Sequence, residues 1–176
     1  PTVLTASFDP LAAVELAARH NVVNFNATDD LIQSILDASP LDRPLPNVRF
    51  VGSAAFATNY AELAARAEAR GIIMVGPYGM SEAQALYAVQ PMDLPLVERV
   101  VGGGRTISAQ SEVRVRDPDS GEFLGPGEPG ELEIKGPSLM KEYYLNPEAT
   151  AEGFTTDGFL RTGDLGQLTG DGRFLY

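Results

Sequence analysis

Asn59-Tyr60-Ala61-Glu62-Leu63-Ala64-Ala65-Arg66-Ala67-Glu68-Ala69-Arg70-Gly71-Ile72-Ile73-Met74-Val75 decides the fold class of this chain. Alanine, leucine and glutamate dominate from Asn59 to Arg70, and side chains of that kind lose little rotamer freedom in a helix, so a helix is predicted there. Gly71 stands where a C-terminal cap belongs, at a position that favours the left-handed backbone conformation. Ile72 to Val75 offers water no polar face, which predicts a strand buried on both sides, as in a parallel sheet. Upstream the same alternation repeats. Asp9-Pro10 supplies a capping carboxylate and a first-turn proline for a helix running to about His20, with Leu11, Val14, Leu16 and Ala18 as its apolar stripe. Val22-Val23-Asn24-Phe25 reads as a strand, Thr28-Asp29-Asp30 as the cap of a second helix carrying Leu31, Ile32, Ile35 and Leu36, and Val48-Arg49-Phe50-Val51 as the next strand.

Beyond about Gln90 the pattern changes. Val113-Arg114-Val115-Arg116 and Leu132-Glu133-Ile134 alternate with period two, Asp117-Pro118-Asp119-Ser120-Gly121 is turn chemistry, and Pro126-Gly127-Glu128-Pro129-Gly130 separates two strands. The prediction is an α/β chain: a parallel α/β subdomain over residues 1–95, then a small β-rich, distorted barrel-like subdomain over residues 96–176. The boundary falls near residues 91–97. No fixed-period repeat or low-complexity tract interrupts this plan.

A chain of 176 residues buries about 70% of its unfolded surface, enough for one sizeable core or two small ones. With no cysteine, disulfides, zinc-thiolate sites and thiol nucleophiles are excluded. Thirteen basic against twenty-four acidic residues give a net charge of −11, which argues against nucleic acid as a partner. An anionic ligand would have to be held locally, by metal, hydroxyls and backbone N–H groups. No run approaches the roughly 18 apolar residues of a membrane span, and Pro1 is followed by neither a basic region nor a signal-like apolar block. A cytoplasmic location is the default expectation, and the chain begins as if cut from something longer. Nothing in the sequence speaks to oligomeric state.

Two short stretches carry candidate chemistry. Tyr78-Gly79-Met80-Ser81-Glu82 follows the apolar run that ends at Val75, and ligands of open α/β sheets bind beyond the carboxyl ends of strands. Tyr78 offers an aromatic face to a purine, Gly79 lets backbone approach closely, Ser81 offers a hydroxyl to phosphate, and Glu82 is a hard oxygen ligand for Mg²⁺. The plainer reading is a strand-to-loop turn with a solvated glutamate. Eighty residues on, Arg161-Thr162-Gly163-Asp164-Leu165 presents a short carboxylate on a glycine-loosened turn, suited to accepting hydrogen bonds from both ribose hydroxyls of an adenosine. A Gly-Asp pair alone is more often only a turn, and the flanking Asp157-Gly158-Phe159-Leu160 and Asp171-Gly172-Arg173-Phe174 are what raise it.

These stretches stand in order with Gly130-Glu131-Leu132-Glu133-Ile134-Lys135-Gly136-Pro137 and Lys141-Glu142-Tyr143-Tyr144-Leu145-Asn146-Pro147-Glu148-Ala149-Thr150. Together they resemble the adenylate-forming, AMP-binding acyl-CoA synthetase and ligase family over nearly all of the chain, though only over a middle portion of such an enzyme. The resemblance implies ATP, Mg²⁺ and coenzyme A as cofactors and a small carboxylic acid as substrate. It gives Tyr78, Gly79, Ser81 and Asp164 nucleotide-binding roles and Glu82 a metal-binding role. Val51-Gly52-Ser53-Ala54-Ala55-Phe56 occupies the place of a glycine-rich stretch that lines the adenine and acyl pocket, which brings in Ala55. Alanines replace glycines there, and Phe56 replaces a smaller residue. Ser81 stands where the family more often has threonine.

Two parts that the resemblance implies are missing: a Ser/Thr/Gly-rich phosphate loop ending in lysine, and a mobile C-terminal domain with a second lysine. Phosphoryl chemistry depends on positioned charge, so the isolated chain is expected to be inactive, with no complete catalytic set. Three readings stay open: a segment of a fatty-acid or other carboxylate–CoA ligase, an adenylation domain that loads an amino or aryl acid onto a carrier protein, and a non-catalytic nucleotide-binding or interaction module. Gly102-Gly103-Gly104 is followed by a strand pattern and not a helix, so it is read as a turn and not as a phosphate loop. His20, the only histidine, closes a helix, and no Gly-x-Ser-x-Gly elbow accompanies it, which excludes a charge-relay hydrolase.

Overall fold

In the computed structural model, which describes residues 2–54 and 59–176, helix α1 (Pro10–Arg19) starts as its sequence predicts. The Asp9 carboxylate accepts a hydrogen bond from the Ala12 N–H at 2.7 Å, Pro10 sits in the first turn, and exposed His20 takes the C-cap. Helix α2 (Asp29–Ala38) begins differently from expectation. Thr28 holds the cap position without a side-chain capping bond, and its hydroxyl donates to the Asp30 carboxylate. Asp29 and Asp30 instead complement the positive end of the helix from its first turn. Helix α3 (Tyr60–Ala69) closes at Arg70, and Gly71 follows at φ +73°, the left-handed conformation anticipated for it.

Strands β1 (Asn24–Asn26), β2 (Phe50–Gly52) and β3 (Met74–Val75) form a parallel sheet in that order. Each starts about two residues later than its apolar run. The early apolar residues are still tied to what precedes them: the Val22 N–H donates to Ala17 O, the Ile72 N–H to Ala67 O and the Val48 N–H to Leu45 O. Apolar patterning reports burial, and Ile72 and Val48 are buried, but ladder pairing begins only where those N–H groups are released. Ile32, Ile35, Val51, Leu63, Ala67 and Met74 are the centre of the core that the helices close over this sheet. The short helix α4 (Leu96–Arg99) adds Leu96 to it, and brings a buried cation, Arg99, whose guanidinium donates to the carbonyls of Met74 and Leu94 and to Glu68.

The chain divides into two compact units that interleave in sequence: Pro1–Gly76 with Pro91–Val101, and Pro77–Gln90 with Gly102–Tyr176. The sequence predicts one cut near residue 95. The interleaving follows from strand pairing, since β4 (Pro77–Tyr78) pairs with β5 (Ala88–Val89) and β5 pairs with β6 (Gly103–Thr106). Residues 77–90 therefore join the second sheet although they precede Pro91.

That second sheet has eight strands. Adding β7 (Glu112–Arg116), β8 (Phe123–Leu124), β9 (Gly130–Lys135), β10 (Leu160–Leu168) and β11 (Phe174–Leu175) gives the order β4-β5-β6-β11-β10-β9-β7-β8, antiparallel throughout. It is open, with β4 and β8 at its edges, and only the short helix α5 (Pro147–Gly153) interrupts the strands of this half. Tyr87, Val115, Leu132, Ile134, Leu160 and Phe174 are its fully buried core.

The Gly102–Gly104 turn reading is corrected here. Gly103 and Gly104 are strand residues of β6 with φ of +117° and +104°, and a side-chain carbon on them would stand 2.2 Å from Phe174 O and 2.1 Å from Val89 O. Both glycines exist so that strand backbones can approach one another, which a sequence pattern shared with loops does not distinguish.

Candidate functional site

The connection from β4 to β5 carries the first signature. It closes as a hairpin, with the Tyr87 N–H on Tyr78 O at 2.9 Å, and a single 3-10 turn at Ser81–Ala83 lies inside it. Ser81 is exposed and Glu82 half-buried. The loop is pinned from outside by the Met140 N–H, which donates to Glu82 O at 2.7 Å. Gly79 does permit a close approach, but to its own loop: an added side-chain carbon would lie 1.7 Å from Ala85 O. Its smallness thus shapes the turn that presents Ser81 and Glu82.

Asp164 lies within β10, where the pairing with β9 shifts register between Arg161 and Leu165. The predicted free turn is therefore a bulge in a continuous strand. Gly163 takes φ +73° there, and no atom stands within 4 Å of where its side chain would be. Such irregularities re-aim side chains. The bulge is bonded on all sides: the Thr162 hydroxyl donates to Leu132 O at 2.7 Å and accepts the Asp164 N–H at 3.0 Å, while the Gly163 N–H donates to Glu131.

The fold brings the two signatures into contact. The Tyr78 hydroxyl donates to Asp164 Oδ2 at 2.7 Å across 86 residues of sequence. Burial first, then the Asp164 carboxylate, raises the pKa of this phenol well above its usual value, which keeps it a neutral donor. The Tyr78 ring is only 3% exposed and meets Phe174 and Tyr176 edge-on, each with centroids 5.2 Å away. Little of its face is open, so the hydroxyl is the more committed part of this side chain.

Glu82 has a tyrosine of its own. The Tyr143 hydroxyl donates to Glu82 Oε1 at 3.0 Å, and this bond, with burial second, raises the Tyr143 pKa. Tyr143 is in turn held by its N–H on the Thr150 hydroxyl, beside helix α5, which Asn146 caps through the Ala149 N–H. Neither Tyr143 nor Thr162 was singled out by sequence reasoning. A hydroxyl two residues before Asp164 is a local turn signal that could have identified Thr162. Tyr143 had no such signal, since its partner is 61 residues away. Ala55 and Phe56 lie outside the described residues.

Glu82 is the candidate side chain for holding a metal. Among the described residues no three His, Cys, Asp or Glu side chains are grouped to hold an ion. Magnesium is commonly bound through one or two carboxylates together with substrate phosphates, and a carboxylate such as Glu82 has more acceptor positions than its bond to Tyr143 uses.

Comparison with known proteins gives the family. A family model described as "AMP-binding enzyme" matches residues 2–144. The chain belongs to the AMP-binding enzyme family. Among relatives of this AMP-binding chain, 4-coumarate–CoA ligase 1 of Oryza sativa subsp. japonica is 31% identical over 178 aligned residues, covering 96% of the chain and 30% of that protein. Feruloyl-CoA synthase of Amycolatopsis sp is 41% identical over 114 residues, 65% of the chain and 22% of the relative. The crystal structure of ATP-bound MatB from Rhodopseudomonas palustris superposes with a TM-score of 0.79 at 28% identity, covering 98% of the chain and 33% of that structure. The AMP-binding chain thus spans about a fifth to a third of the length of these relatives. Its mixed α/β architecture, with a parallel sheet and a separate antiparallel one, is that of the adenylate-forming fold. No helix among the described residues is long and apolar enough to cross a membrane.

Proposed function

We propose that this chain is the nucleotide-contacting middle segment of an acid–CoA ligase that activates a fatty or other carboxylic acid with ATP and passes the acyl group to coenzyme A. In the first step the acid's carboxylate oxygen attacks the α-phosphorus and pyrophosphate leaves, giving the acyl-adenylate. In the second, the thiol sulfur attacks the acyl carbon, the thiol proton is lost and AMP leaves. The observation that supports the reading is the Tyr78–Asp164 hydrogen bond, which brings the two signature stretches together. Asp164 would accept the ribose hydroxyls, Ser81 would contact the α-phosphate, Tyr78 would border the adenine, and Glu82 would take a metal position. When bound with the nucleotide, Mg²⁺ would neutralise phosphate charge. The names of the relatives, feruloyl-CoA synthase and 4-coumarate–CoA ligase, support the reaction class. The phosphate-wrapping loop and the lysine-bearing domain have no counterpart in these 176 residues, so neither half-reaction is assigned to the segment alone.

Acid-dependent ATP–pyrophosphate exchange by the full-length protein, followed by transfer to coenzyme A, tests the proposal. Exchange that ends in loading of a carrier protein and never of coenzyme A would move the assignment to a carrier-loading adenylation domain. Nucleotide binding without exchange for any acid would make it a non-catalytic module. A cytoplasmic site of action is part of the same proposal.

Glu82→Gln gives a narrower test. Removing one charge beside a metal ion forfeits about 1 to 4 kcal/mol, depending on how far water screens the site. The Mg²⁺ concentration for half-maximal exchange should therefore rise by on the order of tenfold or more. Glutamine still offers Tyr143 an acceptor, so the thermal midpoint should hardly change. Wild-type turnover of this variant at limiting Mg²⁺ would remove Glu82 from the metal site.

A further inference from the structure

We propose that Tyr78 is a positioning residue for the ribose: its hydroxyl fixes the Asp164 carboxylate in the orientation that reads the 2′- and 3′-hydroxyls. The inference rests on the ribose role proposed for Asp164 and adds how that carboxylate is held. An aspartate on a strand bulge would ordinarily sample several rotamers, because the bulge frees it from regular cross-strand packing. Here its backbone is tied through Thr162 and its neighbour Gly163 through Glu131, which leaves the side-chain torsions as the remaining freedom. The Tyr78 hydroxyl removes that freedom with a 2.7 Å bond to Oδ2.

The donor is itself packed on several sides. Tyr78 is 3% exposed, sits on β4 in a ladder with β5, and is edge-packed by Phe174 and Tyr176. A carboxylate has about four acceptor positions, so a bond to Oδ2 still leaves enough for two ribose hydroxyls. Preorganisation of this kind lowers the ordering cost that binding would otherwise carry. It also gives the invested burial of Tyr78 a use that a purine-stacking face does not, since that face is largely covered.

The test is calorimetric titration of the full-length protein with AMP and with 2′-deoxy-AMP, for wild type, Tyr78→Phe, Asp164→Ala and the double variant. Phenylalanine keeps the ring contacts and removes only the donor. Tyr78→Phe should weaken AMP by on the order of fivefold to tenfold and 2′-deoxy-AMP by less, so that the preference narrows. In the Asp164→Ala background the same change should alter neither affinity. A purely structural tyrosine would lower both affinities equally and would do so in either background, and that result overturns the proposal. Asp164→Ala with an unchanged preference would overturn the ribose reading itself, and the positioning role with it. A measurement that does not depend on the Tyr78 variant folding is the ¹³Cζ-tyrosine spectrum. Asp164→Asn should move one buried tyrosine resonance, and a spectrum that coincides with wild type overturns the proposal.

Discussion

Replacing Glu133 with alanine is expected to destabilise the second unit by about 3 kcal/mol, at the lower end of what removing one partner of a buried ion pair costs. Glu133 is wholly buried, and its carboxylate accepts from Arg114 Nε at 2.5 Å and from Arg116 Nε at 2.7 Å. The arginines are anchored independently. Arg114 also holds Asp157 and lies 3.7 Å over the ring of Phe159, while Arg116 lies 4.4 Å over Phe123. Without Glu133, Arg116 loses its carboxylate partner and Arg114 keeps only Asp157, although the partial exposure of both guanidiniums lets water recover some of the loss. Urea denaturation of the full-length protein followed by circular dichroism would read the change. Burial pushes the Glu133 pKa up, but the bonds from Arg116 and Arg114 outweigh it and leave it below its ordinary value of 4.5. A folded-state pKa below the unfolded one means that the stabilisation is present above the unfolded value and is lost as pH falls through the folded one. Wild type should therefore lose this stabilisation on acidification, and Glu133→Gln should flatten the acid limb. Equal acid limbs in the two proteins would assign the pH dependence elsewhere.

Glu133 also marks where reading along the sequence reached its limit. Val113 to Arg116 and Leu132 to Ile134 were legible as strands because one face alternates apolar residues, and β7 and β9 formed there. The other face, with its arginines and glutamate, reads from sequence as solvated charge. Burial of Glu133 arises only from register, which sets Arg114 opposite it, and from a β10 that returns some thirty residues later to cover the pair with Arg161. Register also explains the glycines of β6 and the segment that joins the second sheet ahead of its place in the chain. Helices fared better, since α1 and α3 are decided by caps and periodicity within a few residues. At Thr28 and Asn59 the cap position is filled without a side-chain capping bond.

The candidate site divides along the same line. Tyr78, Ser81, Glu82 and Asp164 were legible as residue types in short local signatures. The two hydroxyl-to-carboxylate bonds that organise them span 86 and 61 residues, and no local pattern encodes such a pairing. What the structure adds to the sequence is therefore orientation: each candidate carboxylate is matched to one tyrosine, and each tyrosine is fixed by the sheet or by the segment leading into α5.

Asp164→Ala should weaken ATP use by the full-length protein by on the order of a hundredfold. Two charge-assisted bonds to the ribose would each contribute about 1.5 to 3 kcal/mol when desolvated, and the pair is less than additive because both share one carboxylate. At about 1.4 kcal/mol per factor of ten, a net loss near 3 kcal/mol gives that factor. The loss should fall unevenly: the preference for ATP over 2′-deoxy-ATP should narrow, since the group that recognises the 2′-hydroxyl is gone. A separate effect on stability is expected, because the buried Tyr78 hydroxyl loses its carboxylate acceptor and keeps only Thr162 beside it, a loss of about 1 kcal/mol. Asp164→Asn separates the two. Asparagine can still accept from Tyr78, so stability should return toward wild type, whereas its neutral amide should leave much of the ribose recognition lost. Steady-state kinetics with both nucleotides, alongside thermal melts of both variants, would show the split. If either variant discriminated ATP from 2′-deoxy-ATP as wild type does, Asp164 would be only the residue that completes a strand bulge and satisfies Tyr78.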